Sequence, residues 1–547
     1  MPDPDSPDPR SRRAVSPSSA ARRSARGRGA ASWLPWLLGL SAITLRVAAG
    51  PDPIDDAYIA FRYARNLAEG HGLVYNQGEQ VLGISTPLFA LALAGLARAL
   101  GTDAIPWYAL GLSALADGLA VVMLYSAARR LGLSIGWSAA SSLLLALSPQ
   151  NARFAIAGME TSMMTAVVLT VLLSQWRAAG RLTDWLAGLA LWVRPDALAL
   201  GAAVVISHGW SAKAIPWKRS LVLGLCTLVY AVVLWTLYGL PLPHSVIAKS
   251  HPVYMAAPWE NAAQILYHFA GIFFGSPVGM AAHGLIIVAS PRLTLAAALL
   301  AVPQALLWIT GARHALRRDR RWLALVGYPL IYAGAYVVLG LRGSLLAEWY
   351  FPPLMPIHIL LVLAGLRIFL RRVTPHAASL GGVTLIAFLV TCQLLGFNLG
   401  RDASRPVWMP IASWTEREQL YRQAAEFLRA RIDREAIVAA PEIGALGYYC
   451  DCRVLDTVGL VSPEALDHYP LPIASVSSLN AVPASLMRDL APDYLVSLEI
   501  FLRPLVLDDA WFQANYRRIW SAPSSAFGSH GMLIYERVSA PCSAGPP

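Results

Sequence analysis

Charge is scarce in this chain. Only 14% of its 547 residues are Asp, Glu, Lys or Arg, against 56% hydrophobic, and the mean hydropathy is +0.49. Soluble domains carry about a quarter charged residues, so an ordinary soluble fold is excluded and an integral membrane protein is indicated. Cysteine is also scarce, at five residues, which excludes a disulfide scaffold. Cys226 and Cys392 fall within apolar segments and read as core. Cys450 and Cys452 form a C-x-C, and a bond from one of them to Cys542 would suit a domain outside the cytoplasm. No second Cys or His pair stands nearby at ligand spacing, which argues against zinc. An internal repeat is missing too.

The net charge of +11 suggests a nucleic-acid partner until its distribution is read. Residues 401–547 hold 13 Lys and Arg against 17 Asp and Glu, so the positive excess lies in the first 400 residues. There it gathers in short loops and in an N-terminal tail, the pattern of membrane topology and not of nucleic-acid binding.

Residues 1–32 carry seven arginines among Pro, Ser and Ala, and read as a disordered cytoplasmic tail. The segment 33–49 reads as an uncleaved signal anchor, with Arg46 set within it. Further apolar segments follow at 105–128, 133–149, 162–175, 220–238, 293–312, 322–340, 353–370 and 379–398. A stretch at 183–209 is interrupted by W-V-R-P-D-A and counts as two. The expectation is a mostly α polytopic bundle of about 11 segments over 33–400. Residues 88–100 are short for a span and read as a juxtamembrane helix, and the stretch to about 290 gives no clear segment. This arrangement puts nearly every basic cluster on the cytoplasmic side and the C-terminus outside.

Residues 401–547 change character and read as an extracytoplasmic α/β domain. Ser413 and Glu416 resemble a capping box opening a helix to about Arg431. Runs at 436–440, 453–461, 494–498 and 532–538 read as strands, with a helix near 507–516.

The longest polar interruption before that domain is 50–87, an outer loop that opens on Asp55 and Asp56. From Ile54 it reads as an amphipathic helix, with Ile54, Ala57, Phe61, Ala64 and Ala68 on one stripe. Asp55, Arg62, Asn66 and Glu69 share the opposite face, and Tyr58 stands close by. A helix flat on the bilayer with acid and base turned outward is a reaction platform; as a plain helix start, the two acids would be cap and first-turn residues. Asn76, Glu79, Arg153, Glu160, His244, Lys249, Glu348 and Tyr350 also fall on outer loops. Such acids can accept a hydroxyl proton or hold a metal, and such bases can bind phosphate. Their spacing alone names no reaction.

The run D-D-A-Y-I-A-F-R-Y-A-R-N-L-A-E-G-H-G-L-V-Y-N-Q-G-E resembles the first outer loop of a branch of GT-C glycosyltransferases that includes the terminal arabinofuranosyltransferases of mycobacterial type. G-M-E-T (158–161), W-V-R-P-D (192–196), P-L-P-H-S-V-I-A-K (241–249), E-I-G-A-L-G-Y-Y (442–449) and V-L-D-T-V-G-L (454–460) resemble the same branch in the same order. Two features depart from it: His244 stands where the branch has Asn, and L-G-I-S-T-P (82–87) replaces an E-G-Y-T-S-P type of run.

The resemblance implies a GT-C membrane glycosyltransferase of the bacterial plasma membrane. It would move a sugar, arabinofuranose among the candidates, from a polyprenyl-phosphate donor to a cell-envelope glycan or lipid acceptor, with inversion. Asp55 or Asp56 would be the general base, undecided between them. Arg62 and Lys249 would stabilise the leaving phosphate. Asp56 and Glu160 would hold a divalent cation, Mg or Mn. Tyr58, Asn66, Asn76, Glu79, Arg153, His244, Glu348 and Tyr350 complete the expected substrate-binding set. A ligase or polymerase of lipid-linked polysaccharide would use a similar outer site. A transporter fits less well, because the acids lie in outer loops, Asp196 apart.

Overall fold

The computed structural model describes residues 19–176, 180–251, 259, 291–341, 348–373, a few positions between 382 and 391, 412–433, 435–471 and 481–538. The stretch near 260–290, most of the expected segment 379–398, and Cys542 lie outside the described residues.

The chain is mostly helical and multi-pass. Among the described residues, five helices are long and apolar enough to cross a bilayer: Ser32–Ala49 within α1 (Ser19–Ala49), α4 (Ile105–Arg130), α10 (Trp217–Tyr238), α13 (Trp322–Gly340) and the stretch Pro352–Arg372 that holds most of α14 (Met355–Val373). A sixth forms if α6 (Pro149–Ile156) and α7 (Thr161–Ser174), bent by 119° at their break, count as one. The eleven expected segments are not all clean spans, because several are short helices in broken pairs. The interruption read at W-V-R-P-D-A is one of these breaks: α8 (Gly180–Leu189) gives way to two 3₁₀ turns before α9 (Leu198–Ala212). Pro195 lacks an N–H and cannot continue a helix through this point.

α1 begins at Ser19, inside the stretch expected to be a disordered tail. Arg46, awkward in an apolar segment, is fully buried and meets the equally buried Asp117 of α4 at 2.7 Å. It also donates to the Ala146 carbonyl at 2.5 Å. An unpaired charge at membrane depth is costly, so each residue makes the other tolerable.

The C-terminal region folds on a five-stranded mixed sheet in the order β2-β1-β3-β5-β4. β1 (Ile437–Ala440) runs parallel to β2 (Arg453–Asp456) and to β3 (Tyr494–Leu498). β5 (Gly531–Arg537) is antiparallel to both β3 and β4 (Tyr516–Pro523). Four strands match the apolar runs. β4 has no such apolar run, because it is a polar edge with Arg517 and Arg518 exposed. The helix expected near 507–516 is two short ones, Glu499–Asp508 and Ala510–Asn515, the second capped by Asp509 Oδ1 accepting from the Phe512 N–H at 2.8 Å. The expected capping box is not formed: α15 (Ala412–Arg429) starts before Ser413, and Glu416 instead accepts from the Ser524 hydroxyl at 2.6 Å. Cys450 is bonded to Cys452, not to Cys542.

These two regions share a core. Ala57, Phe61 and Tyr63 of α2 (Asp55–Glu69) and Phe89 of α3 (Pro87–Leu100) pack in one cluster with Leu420, Tyr421, Val438 and Leu446 of the C-terminal region. The apolar stripe of α2 is thus covered by protein and does not rest on lipid.

Candidate active site

Most of the polar face of α2 is covered as well, Glu69 apart. Arg62 is only 4% exposed. Its Nε donates to the Tyr75 carbonyl at 2.8 Å, Nη1 to the Gly447 carbonyl at 2.8 Å and Nη2 to the Cys452 carbonyl at 2.6 Å. Asn66 donates to the carbonyls of Val74 and Tyr75. Asn76 donates to the Val454 carbonyl at 2.9 Å and accepts from the Val454 N–H at 3.1 Å, so its amide completes the open edge of β2 as another strand would. Glu79 pairs with Arg453 at 2.8 Å.

Arg62, Asn76 and Glu79 clasp the first loop to the C-terminal domain, and Asn66 ties the loop to its own helix. Every guanidinium nitrogen of Arg62 is committed to a carbonyl, and its side chain stands in this joint and not among the walls of the polar cleft around Asp56, away from the phosphate expected of it. The clasp needs close approach: a side chain on Gly444 would collide with the Asp55 carbonyl, and one on Gly447 with the Tyr75 hydroxyl. Both glycines lie on α16 (Gly444–Cys450).

The two first-turn acids part company here. Asp55 Oδ1 accepts from the Gly444 N–H at 2.7 Å. It faces a buried cluster in which Arg417 reaches Glu418 at 2.6 Å and Glu442 at 2.5 Å. Burial pushes the Asp55 carboxyl well above the usual carboxylate range, and the Glu418 charge pushes it further. Asp56 instead turns into a polar cleft and meets Lys249 of α11 (His244–Ser250) at 3.2 Å. Both keep solvent contact, with side-chain exposures of 22% and 34%. Burial alone would lower the Lys249 ammonium, but the Asp56 carboxylate overrides it and holds it above its ordinary value.

Glu418 supplies a pH test of the joint. Burial raises its carboxyl to about 7 from an ordinary 4.5, against the pull of Arg417. A folded-state value above the unfolded one means stability is fully present below the unfolded value and is lost as pH rises through about 7. The thermal midpoint of the purified chain should therefore fall between pH 5 and 8, and Glu418→Gln should flatten that fall. Equal slopes for the two proteins would refute the assignment.

Across the cleft from Asp56 stand Glu160, at the break between α6 and α7, and Arg194, at the break before α9. Arg194 reaches Glu160 at 3.3 Å and Asp196 at 2.6 Å. Asp196 also accepts from the hydroxyls of Tyr332 at 2.8 Å and Tyr336 at 3.0 Å, so it fixes the guanidinium in place. W-V-R-P-D marks a helix break in sequence, while the role of its Arg194 and Asp196 depends on Glu160, Tyr332 and Tyr336, far along the chain. Trp349 and Tyr350 close the cleft, and the Glu348 side chain lies outside the described residues.

Beyond the cleft lies an apolar cavity of about 420 Å³ between α9, α11 and α13. The two spaces share the walls Ser85, Arg194, Ser245, Lys249 and Tyr350. Lys249 and Arg194 therefore stand where polar space meets apolar space.

The remaining expected residues are dispersed. Tyr58 is buried, its hydroxyl 3.4 Å from that of Tyr449. Arg153 lies over the ring of Trp414 at 4.1 Å, outside the cleft lining. His244 is buried next to the cleft, with its backbone N–H donating to the Leu82 carbonyl at 2.8 Å. The two departures from the arabinofuranosyltransferase pattern, at 82–87 and at 244, thus touch each other, and Ile84 from the first of them lines the cleft.

Over 217 residues, 36% of this chain, the sequence is 27% identical to the terminal β-(1→2)-arabinofuranosyltransferase of Mycobacterium tuberculosis. It is similar to an arabinofuranosyltransferase. The match spans about a third (34%) of that relative's length. Residues 410–536 match a family described as a domain of unknown function, DUF8728. Two solved structures superpose on most of the chain. The crystal structure of ArnT from Cupriavidus metallidurans in the apo state covers 95% of this chain and 99% of its own, at 15% identity and a TM-score of 0.45. The cryo-EM structure of arabinofuranosyltransferase AftD from Mycobacteria covers 93% of this chain and 40% of its own, at 16% identity and a TM-score of 0.41. The resemblance read from the outer-loop motifs is thus met in the sequence comparison.

Asp56 and Glu160, the pair expected to hold a divalent cation, do line one cleft. Each already faces a side-chain cation, Lys249 or Arg194. Among the described residues, no group of three His, Cys, Asp or Glu side chains is arranged to hold a metal ion. The donor set as it stands does not fit a resident divalent ion, and no step below runs through one.

Proposed function

We propose that the chain is a GT-C membrane glycosyltransferase that moves a sugar, arabinofuranose first among the candidates, from a polyprenyl-phosphate donor to a glycan or lipid acceptor of the cell envelope. One observation carries the reading: a polar cleft with acids and cations opens directly onto an apolar cavity. A sugar phosphate on an isoprenoid tail has that same division. Its sugar suits the cleft, its phosphate suits Lys249 and Arg194 at the junction, and its first isoprene units suit the cavity. The site lies on the outer face of the membrane, as the distribution of basic loops favours.

In this mechanism Asp56 takes the proton of an acceptor hydroxyl, since a sugar hydroxyl is a poor nucleophile at neutral pH. The hydroxyl oxygen bonds to the anomeric carbon as the bond from that carbon to the phosphate oxygen breaks. The electron pair stays with the phosphate, and a single displacement inverts the centre. Lys249 and Arg194 stabilise the charge that grows on the leaving phosphate.

Transfer from a panel of radiolabelled polyprenyl-phosphate sugars, arabinofuranose included, tests the reading in membranes carrying the wild-type chain. Transfer from one donor supports it. Transfer only from lipid-linked oligosaccharides would favour a ligase or polymerase, and none at all with folded protein would sink the enzyme reading. The cavity gives a sharper variant. Ala335→Trp on α13 fills space meant for isoprene units. It should raise the KM for a long-chain donor about tenfold and leave a donor with one or two isoprene units little changed. Equal effects on both chain lengths would refute the tail assignment.

A further inference from the structure

Among the described residues, the C-terminal domain contributes one side chain to the lining of the polar cleft, Leu460. Leu460 is half-buried and does not line the apolar cavity. It stands in the turn that follows β2, and that turn is built around a carboxylate. Asp456, the last residue of β2, is fully buried. Its Oδ1 accepts from the Val458 N–H at 2.9 Å, and its Oδ2 accepts from the N–H groups of Leu460 and, at 3.1 Å, Val461. The Asp456 N–H donates to the Ser462 hydroxyl at 3.0 Å, and Gly459 between them takes a φ of +88°, which favours glycine. A carboxylate is costly to bury unless donors satisfy it. Here the donors are the backbone of the turn itself, so the buried charge fixes the shape of the turn. The turn also presses on the first outer loop. A side chain on Gly83 would collide with Val461 and with the Leu460 carbonyl, while the Gly83 N–H donates to the Tyr63 hydroxyl at 2.7 Å. Gly83 and Ile84 line the cleft together with Leu460.

We infer that Leu460 limits the size of the sugar the cleft accepts, and that Asp456 is the positioning residue that holds it there. The inference rests on the proposed function and deepens it, by naming the part of the chain that reads the donor sugar. Three features argue for it. The cleft is narrow, about 40 Å³ against about 420 Å³ for the cavity, so a change of one side chain in its wall alters what fits. The wall at Leu460 and Ile84 is apolar and reads by shape. A sugar with one more hydroxymethyl group would press that group on a surface that offers its hydroxyl no hydrogen bond. The wall is also stiff, since three N–H groups hold the turn to Asp456 and the close approach at Gly83 backs it. An apolar pocket separates ligands one carbon apart by about 10- to 200-fold, enough to choose a pentose over a hexose. Leu460 reaches the cleft only while the C-terminal domain is docked. That gives the domain a part in substrate choice, beyond bracing the first loop.

The test sets two radiolabelled donors in competition in membranes carrying the full chain, which reads the ratio of their kcat/KM directly. One donor is polyprenyl-phosphate arabinofuranose, and the other is in turn polyprenyl-phosphate glucose, mannose or galactofuranose. Leu460→Ala is expected to raise the ratio of hexose to arabinofuranose transfer about tenfold for at least one hexose. Leu460→Met, which keeps the volume of the wall, should leave the ratio within about twofold of wild type. Inhibition by polyprenyl phosphate, which carries no sugar, should be the same in wild type and Leu460→Ala. Asp456→Asn should move the ratio in the same direction as Leu460→Ala, because an amide accepts hydrogen bonds at one end only. An unchanged ratio for all three hexoses in Leu460→Ala overturns the inference. So does an equal shift in Leu460→Met, or a matching change in inhibition by polyprenyl phosphate, either of which would mark a loosened site. A folded Asp456→Asn with an unchanged ratio removes the role given to Asp456. If the wild type transfers from no donor, the proposed function falls and takes this inference with it. Transfer with an unaltered ratio in Leu460→Ala removes this inference alone.

Discussion

Asp56→Asn is expected to lower transfer by about 10²–10⁴-fold, the usual contribution of a positioned general base, with the chain still folded. The substitution keeps the shape of the side chain and removes its proton affinity. Lys249 would lose its salt-bridge partner at 3.2 Å but stay about one-third exposed to solvent (34%), so the fold should tolerate the change. Asp55→Asn should behave otherwise. Its Oδ1 accepts from the Gly444 N–H, and an amide oxygen can do the same, so the first turn of α2 should stay in place. Asp55→Asn should therefore lose no more than about tenfold, while Asp55→Leu, which removes the acceptor altogether, should lose more. Radiolabel transfer in membranes at matched expression decides between the two acids. A larger loss in Asp55→Asn than in Asp56→Asn would reverse their roles, with Asp55 as the base and Asp56 as the brace.

The largest effect on stability should come from Arg62→Met. The substitution keeps much of the buried stem and removes every donor. The carbonyls of Gly447 and Cys452 would then lose their guanidinium donor, and that of Tyr75 would keep only the Asn66 amide. An orphaned buried acceptor costs about 1–3 kcal/mol, so losing several together should cost on the order of 3–5 kcal/mol, allowing for relaxation. The C-terminal domain should loosen from the loop, with faster proteolysis between the two and a lower thermal midpoint by fluorescence-detected size exclusion. Arg62→Lys should recover little, since an ammonium cannot fork to three carbonyls. A normal midpoint and normal proteolysis in Arg62→Met would mean that Arg62 is available for another role, phosphate binding included.

The membrane character, the helical breaks and four of five strands were legible because each leaves a local mark: low charge, an R-P-D in an apolar run, short apolar stretches between turns. β4 left none, since an exposed edge strand looks like a polar loop. The first loop was half legible. Its apolar stripe correctly gave α2, but periodicity tells only that two faces differ, not what covers the polar one. Arg62, Asn66 and Asn76 turn out to bind backbone carbonyls and an edge strand, and backbone has no sequence signature. Of the candidate cleft, Asp56, Glu160, Lys249 and Tyr350 stood out as polar residues between apolar segments, and the fold brings them to one cleft. Arg194 was not chosen, because its purpose depends on Glu160 and on tyrosines more than a hundred residues away.

The shared core of α2, α3 and the C-terminal sheet bears on how such proteins can be recombined. In sequence the obvious seam lies near residue 400, and the DUF8728 match begins close to it. In three dimensions that seam runs through the wrong place, because Asn76 finishes the edge of β2 and Arg62 closes the loops around α16. A chimera that exchanges only the tail would set a foreign strand edge against Asn76 and a foreign turn against Arg62. The transferable module is discontinuous: residues 50–87 together with 412–538, carried as one piece on whichever membrane bundle is to receive it.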